Sequence, residues 1–131
     1  MNRQIKFRAW DKDEKRMLEV YRIGFDGPID GAQVYCYLDD RGAKGSKECF
    51  YDGDGLTLEQ FTGLKDSNGK EIYEGDLVQL DPDDSPYKVI FDEGKFEITG
   101  NGVTYDLGEE FMDCEIIGNI HEDKDLLEAD K

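Results

Sequence analysis

The chain has 131 residues, of which 37% are hydrophobic and 37% are charged, and its formal net charge at neutral pH is −16. This length suits one domain, or one domain with a small satellite. The surplus of carboxylates repels phosphate backbones and so disfavours direct binding to DNA or RNA. No apolar run approaches the roughly 20 residues that a membrane-spanning helix needs, and we expect the charged N-terminal residues not to act as a signal peptide.

The three cysteines, Cys36, Cys49 and Cys114, are odd in number and widely spaced. This pattern favours free thiols in a reducing cytoplasm over a disulfide framework. The acid surplus is uneven, because residues 1–22 carry a net charge of +3 and the other 109 residues carry −19. Such a surface either attracts a basic partner or simply keeps the protein soluble, and solubility is the plainer explanation.

The N-terminal part predicts short strands. Residues 5–10 alternate, with Ile5, Phe7 and Ala9 on one face, and residues 17–23 return as a second strand of a hairpin. We expect Trp10 to be a core or cross-strand residue, although a ligand-stacking role is the alternative. After a loop over residues 24–31, a third strand is expected at 33–38. It places Tyr35 and Tyr37 opposite its apolar face, and a polar loop leads to a short return at 49–51.

The C-terminal part is organised by residues 61–80. Asn68-Gly69 lies between apolar arms and predicts a type I′ hairpin turn, since both central residues of that turn need positive φ. Further strands are expected at 77–80, 87–91, 95–99, 103–107 and 114–117. A second Asn-Gly pair, Asn101-Gly102, predicts the same turn type. One or two helical turns are expected over residues 122–129, with Leu126 and Leu127 docking back.

These elements predict a mainly β protein. We expect an N-terminal hairpin region over residues 1–58 and a compact antiparallel meander over residues 59–131, with a single domain as the alternative. A small SH3-like barrel is a second form that the C-terminal part could take, by analogy with the Gly75-Asp76 corner of such barrels. That corner is expected to be structural, and a binding loop is its functional alternative.

Few residues suggest chemistry. Asp52-Gly-Asp-Gly55 resembles the start of a calcium loop, but the twelfth position, which should be a bidentate Glu, is Gly63. The candidate metal ligands are Asp52, Asp54, Asp81, Asp83 and Asp84, and we expect them to serve as turn residues. His121 is the only histidine and is expected to be structural. Glu109-Glu110 is a pair of carboxylates, but such neighbours are expected by chance in a chain with 32 acidic residues. We expect no catalytic residues, no cofactor and no resident metal.

The chain resembles the YopX family, which bacteriophages and prophages encode. The resemblance rests on residues 3–11, on residues 61–78 and on Gly118-Asn-Ile-His-Glu122. Its signature residues are Phe61, Thr62, Gly63, Leu64, Asn68, Gly69, Tyr73, Gly75 and Asp76. The tail departs from the family, because Glu122-Asp-Lys-Asp-Leu-Leu127 stands where members often have Glu-Asn-Pro-Glu-Leu-Leu. The resemblance implies a phage origin and self-association, and it supplies no catalytic residues.

Three functional hypotheses follow. The first is a non-enzymatic binding or assembly protein that acts as a homo-oligomer in the host cytoplasm, with a basic host or phage protein as another expected partner. The second is an acidic decoy that occupies a basic, DNA-binding host protein. The third is a metal-dependent enzyme that uses the aspartate clusters named above.

Overall fold

The computed structural model describes residues 4–27, 31–39 and 41–128, without the side chains of residues 43, 127 and 128. It divides into two compact units, the first being Lys6–Gln60 and the second comprising the described residues from Phe61 onward with residues 4 and 5. The expected boundary between residues 58 and 59 stays a prediction. Part of the expected loop over residues 24–31 and the docking of Leu127 lie outside what is described.

The first unit is an antiparallel sheet whose strands follow one another in the order β4-β3-β2-β1-β5. Its strands are β1 (Phe7–Asp11), β2 (Arg16–Gly24), β3 (Gln33–Tyr37), β4 (Lys47–Tyr51) and the start of β5 (Leu56–Lys65). The expected β1–β2 hairpin is confirmed, and β1 also pairs along its other edge with β5, from Phe7 opposite Gln60 to Asp11 opposite Leu56.

One face of this sheet builds the core of the first unit. Val34 and Cys36 alternate along β3 and are fully buried, and Ala9, Leu18 and Leu56 pack with them from the neighbouring strands. Buried residues at every second position are expected of a strand that has one face packed on a core. The expectation that Ile5 belongs to the buried face of β1 is wrong, because β1 begins at Phe7 and Ile5 is 63% exposed.

The second unit holds a five-stranded antiparallel sheet in the order β10-β9-β8-β7-β11. Its strands are β7 (Asp76–Gln79), β8 (Tyr87–Asp92), β9 (Lys95–Gly100), β10 (Val103–Asp106) and β11 (Glu115–Asn119). β7 to β10 form the expected meander, and β11 returns to pair with β7. The end of β5 enters this unit and pairs with β6 (Glu71–Tyr73).

The core of the second unit lies on one face of that sheet. It consists of the buried Ile72, Val78, Tyr87, Val89, Ile98, Leu107 and Cys114. Leu107, expected to end β10, instead begins α1 (Leu107–Glu110), because the Asp106 side chain accepts a hydrogen bond from the Gly108 amide at 2.8 Å and caps the helix. A 3₁₀ turn follows at Phe111–Asp113, and a short helix, α2 (Lys124–Glu128), confirms the expected helical turn near the end.

The two Asn-Gly pairs form different turns. Asn101 and Gly102 have φ of 52° and 79° and form the expected type I′ turn between Gly100 and Val103. Asn68 does not have positive φ, so the type I′ prediction at Asn68-Gly69 is wrong. The Gly69 amide donates to the Asp66 carbonyl at 3.0 Å, which makes a turn over residues 66–69 with Asp first and Gly last, the sequence preference of type I.

The mainly β, antiparallel prediction is confirmed. Among the described residues neither sheet closes into a barrel, since the five-stranded sheet ends at β10 on one side and at β11 on the other. The expected meander is therefore present, and the SH3-like barrel is not formed as a closed structure.

Candidate functional site

The outer face of the first unit gathers three tyrosines. Tyr35 and Tyr37 point away from the core because they alternate with Val34 and Cys36 along β3. Tyr21 joins them from β2, with its ring stacked on Tyr37 at 4.6 Å between centroids and tilted against Tyr35 at 6.2 Å. We call Tyr21, Arg22, Tyr35, Tyr37 and Lys47 the tyrosine face.

Two cations lie over these rings. The Lys47 Nζ atom is 5.5 Å from the Tyr21 centroid and 5.9 Å from that of Tyr37, and the Arg22 Cζ atom is 5.0 Å from the Tyr35 centroid. These distances are within the range of cation–π attraction. The pairs hold long, flexible side chains in place, so the face presents aromatic surface beside fixed positive charge while Tyr21 remains 41% exposed.

The hydroxyl of Tyr35 is also positioned. It donates to the Gln33 Oε1 atom at 3.2 Å. Desolvation and the neighbouring Cys49 raise the pKa of Tyr35 above its ordinary value. A surface of tyrosines with an arginine has the composition that protein interfaces favour, because such rings bury much area at little entropic cost.

Sequence reasoning placed Tyr35 and Tyr37 on this face but missed Tyr21. The register of β2 and β3 shifts between Val20 and Arg22, which leaves Tyr21 as the extra residue of a bulge. A bulge changes which side chains share a face, and alternation alone cannot show it. The contacts of Lys47 and Arg22 with the tyrosine rings depend on how the strands pair. No local sequence pattern predicts them.

The family-signature residues of β5 and β6 serve the fold. Phe61 is buried, and its ring is tilted against Tyr73 with centroids 5.5 Å apart. The Thr62 hydroxyl donates to the Ile72 carbonyl at 2.8 Å and accepts from the Leu64 amide at 3.2 Å. These contacts hold β5 against β6 across the irregular register that surrounds Gly63.

The Gly75-Asp76 corner joins three segments of the second unit. The Gly75 amide donates to the Val89 carbonyl, and the Gly75 carbonyl accepts from the Ile120 amide, both at 2.9 Å. The buried Asp76 carboxylate accepts from the Tyr73 amide at 2.7 Å. The corner thus ties β7 to β8 and to the segment after β11, which favours its structural role over a binding loop.

Asp66, which sequence reasoning did not single out, accepts three backbone hydrogen bonds through its side chain. Its Oδ1 atom accepts from the amides of Asn68 at 2.9 Å and Lys70 at 2.8 Å, and its Oδ2 atom accepts from the Ile116 amide of β11 at 2.9 Å. Burial acts to raise the pKa of Asp66, but these three hydrogen bonds outweigh it, so the pKa lies below its ordinary value. The preference for Asp at the first position of a type I turn was the available sequence signal.

The candidate metal ligands lie in turns. The Asp52 Oδ1 atom accepts from the Leu58 amide at 3.1 Å, and the Asp81 Oδ1 atom accepts from the Asp83 amide at 2.9 Å. The amides of Asp54 and Asp84 donate to the carbonyls of Tyr51 and Asp81. Within residues 4–27, 31–39 and 41–128 no three His, Cys, Asp or Glu side chains are grouped as a metal site would require. The expectation that these aspartates serve as turn residues and hold no resident metal stays a prediction, with metal binding as its alternative.

A shallow cavity of about 150 Å³ lies beside the Asp81 turn. Its lining includes Ser67, Gln79, Asp81, Asp113 and Glu115, so it is polar and rich in carboxylates. Gln79 is fixed there by donating to the Asp84 carbonyl at 3.2 Å. The cavity has room for a small cationic group.

The remaining chemical candidates have structural surroundings. Burial raises the pKa of Cys36 and of Cys114 to about 11, so both thiols stay protonated and are weak nucleophiles. The His121 amide donates to the Asn119 Oδ1 atom at 3.0 Å within the segment after β11. The Glu109-Glu110 pair lies in α1, and Trp10, at 7% exposure, is confirmed as a buried residue.

Comparison with known proteins agrees with these observations. The mainly β fold carries the signature segment in its second unit, and the family model described as YopX protein matches residues 6–128. The chain therefore belongs to the YopX family. No curated protein matches the chain.

A solved structure resembles this chain over nearly its whole length. It is the crystal structure of protein EF1440 from Enterococcus faecalis, which is 31% identical, with a TM-score of 0.65, 96% of this chain covered and 99% of that chain covered. In the part of this chain that the structure describes, no helix is both long and apolar enough to cross a bilayer.

Proposed function

We propose that this protein is a non-enzymatic binding and assembly protein of a phage or prophage, and that it acts as a homo-oligomer in the cytoplasm of the host cell. The observation that carries the proposal is the tyrosine face. The exposed Tyr21 is stacked on the half-buried Tyr37 and tilted against the half-buried Tyr35, with Arg22 and Lys47 over the rings, and this set has the composition of an interface centre. Membership of the YopX family supports the phage origin.

The partner that suits this face is a second copy of the chain. Residues 61–131 hold six basic and 20 acidic side chains, a net charge of −14, whereas residues 6–60 hold nine and 12, a net of −3. The cations of the tyrosine face are complementary to the acidic C-terminal half of another copy. A contact between two different surfaces of identical chains is heterologous, so it builds a ring or a longer assembly.

Sedimentation velocity over a range of protein concentrations tests the proposal. We expect the wild-type protein to associate and the Lys47→Glu variant to associate about tenfold more weakly, because the change removes a cation–π contact and reverses a charge at the interface. Lys12→Glu is the matched control, since it makes the same charge change in the exposed β1–β2 turn. A wild-type protein that stays monomeric at high concentration, or equal effects of the two variants, contradicts the proposal.

The charge of the C-terminal half favours a second candidate, the acidic decoy. A net of −14 over 71 residues is a surface that a basic, DNA-binding host protein would recognise. Affinity capture from host lysate at low and high salt tests it. The decoy predicts a basic protein that is retained at low salt and released as salt rises, because screening removes exposed charge attraction. Retention that does not change with salt contradicts it.

A further inference from the structure

The fold places the two Asn-Gly pairs of the chain in chemically different turns. Asn68, Gly69, Asn101 and Gly102 are all exposed, so water and hydroxide can reach both pairs. Asn-Gly is the sequence in which an asparagine side chain is most easily attacked by the following backbone nitrogen, because glycine has no side chain to hinder ring closure. The reactivity of each pair therefore depends on whether the glycine amide donates a hydrogen bond and on the charges near it.

The amide of Gly69 is engaged. It donates to the Asp66 carbonyl at 3.0 Å, as the last residue of the type I turn. The Asp66 carboxylate lies against the same turn, accepting from the amides of Asn68 and Lys70 on either side of Gly69. A hydrogen bond and a nearby negative charge both oppose removal of the Gly69 amide proton, which must precede attack.

The amide of Gly102 occupies a different position. Gly102 is the third residue of the type I′ turn between Gly100 and Val103, and the hydrogen bond of such a turn uses the first and fourth residues. The side-chain amides are held at both sites, Asn101 Nδ2 to the Ser85 carbonyl at 3.0 Å and Asn68 Nδ2 to Glu115 Oε2 at 3.4 Å. The contrast between the two pairs therefore lies in the backbone amide of the glycine.

We propose that Asn101 is a site of spontaneous deamidation in the folded protein and that the fold protects Asn68. After base removes its proton, the Gly102 nitrogen attacks the Cγ atom of Asn101 and forms a C–N bond. The bond between Cγ and Nδ2 breaks, and the side-chain nitrogen leaves as ammonia once it has gained a proton. Water then opens the cyclic imide at either carbonyl, which yields aspartate or isoaspartate, with no change of oxidation state.

The modification has a structural consequence. A carboxylate at position 101 cannot donate to the Ser85 carbonyl, so the hydrogen bond between the β9–β10 turn and the loop before β8 is lost. Isoaspartate also inserts an extra atom into the backbone of a two-residue turn. We expect the ends of β9 and β10 to fray, with one more negative charge on a chain that already carries −16.

Peptide mapping by mass spectrometry after incubation at mildly alkaline pH tests the proposal. We expect deamidation at Asn101 to be about tenfold faster than at Asn68. This ratio corresponds to breaking one hydrogen bond, that of the Gly69 amide, before Asn68 can react. Asn101→Gln should abolish most of the ammonia released by the folded protein, because glutamine cyclises far more slowly. The matched variant Asn68→Gln should lower ammonia release by only about a tenth, because the tenfold slower site contributes little.

A urea-unfolded sample separates the fold from the local sequence. Without the turns, the two pairs should react at similar rates. Equal rates in the folded protein, a faster reaction at Asn68, no reaction at either site, or the same preference for Asn101 in urea would each overturn the proposal.

Discussion

The two units of this protein hold their buried carboxylates in different ways. In the first unit both acids that are buried among the described residues have an arginine partner, with Arg8 Nε 2.8 Å from Glu59 Oε1 and Arg16 Nε 3.3 Å from Asp11 Oδ2. Asp11 also accepts from the amides of Asp13 at 3.1 Å and Glu14 at 3.3 Å, so arginine adds to backbone donors there. In the second unit the buried Asp66 accepts from three backbone amides, and Asp76 accepts from the Tyr73 amide.

The charge balance explains the difference. The first unit has nine basic side chains for 12 acids, whereas residues 61–131 have six for 20, too few to pair with them. Backbone amides are the donors that every residue except proline supplies, and turns present several of them to one carboxylate. An acidic half can thus fold with backbone amides as the donors to its buried carboxylates.

The largest expected effect is at Asp66. Asp66→Ala removes the acceptor of three amides, one of them on β11, so we expect the second unit to lose about 3 kcal/mol of stability. Hydrogen exchange of the amides in β7 to β11 measures it, and Asp81→Ala, which removes an exposed acceptor of one amide, is the control at less than about 1 kcal/mol. Equal losses of stability in the two variants would contradict the claim that Asp66 stabilises the second unit more than an exposed turn aspartate does.

In the first unit, we expect the loss of stability on removing an arginine to be reversed when its carboxylate partner is removed as well. Arg8→Met removes a guanidinium from the nearly buried Glu59, so we expect the free energy of unfolding to fall by about 2 kcal/mol, because a buried charge that loses a charged partner is costly. The double variant Arg8→Met/Glu59→Leu should recover most of it. Urea unfolding of both variants checks this, and a double variant no more stable than the single one goes against it.

The smallest expected effect is that of salt. Screening reduces the repulsion among the 20 acids of the C-terminal half, so rising salt should stabilise the second unit by about 1 kcal/mol. The first unit, with its near balance of charge, should change less. Hydrogen exchange at two salt concentrations, compared unit by unit, gives both values. A larger response in the first unit would contradict the comparison.

Much of the fold could be predicted from the sequence. The strands at Gln33–Tyr37, Tyr87–Asp92 and Lys95–Gly100 were expected, because alternation of apolar residues and glycine-bearing turns are local features. The pairing of β1 with β5 was not expected, since it joins residues about 50 positions apart and has no local pattern. The helix at Leu107–Glu110 was also missed, although Asp106 followed by two glutamates is a helix-start pattern.

The candidate site was harder to predict. The outward direction of Tyr35 and Tyr37 followed from alternation, but Tyr21 reaches them only through a bulge in β2. At Asn68-Gly69 the sequence predicted a hairpin correctly and its turn type wrongly, because the side chain of Asp66 stabilises a type I turn that begins two residues earlier. In both cases a contact between strands or side chains outweighed the local preference.

The most direct test of the comparison is the titration of the Asp66 carboxyl, followed by NMR. We predict a folded-state pKa of Asp66 below the ordinary value of about 3.9, because the amide hydrogen bonds outweigh burial. A pKa lower in the folded than in the unfolded state gives stability that is complete above that ordinary value. This stability is lost as pH falls through the folded-state pKa. A carboxyl that titrates at or above about 3.9 would show that burial dominates, and would contradict the claim that backbone amides hold the acids of this half.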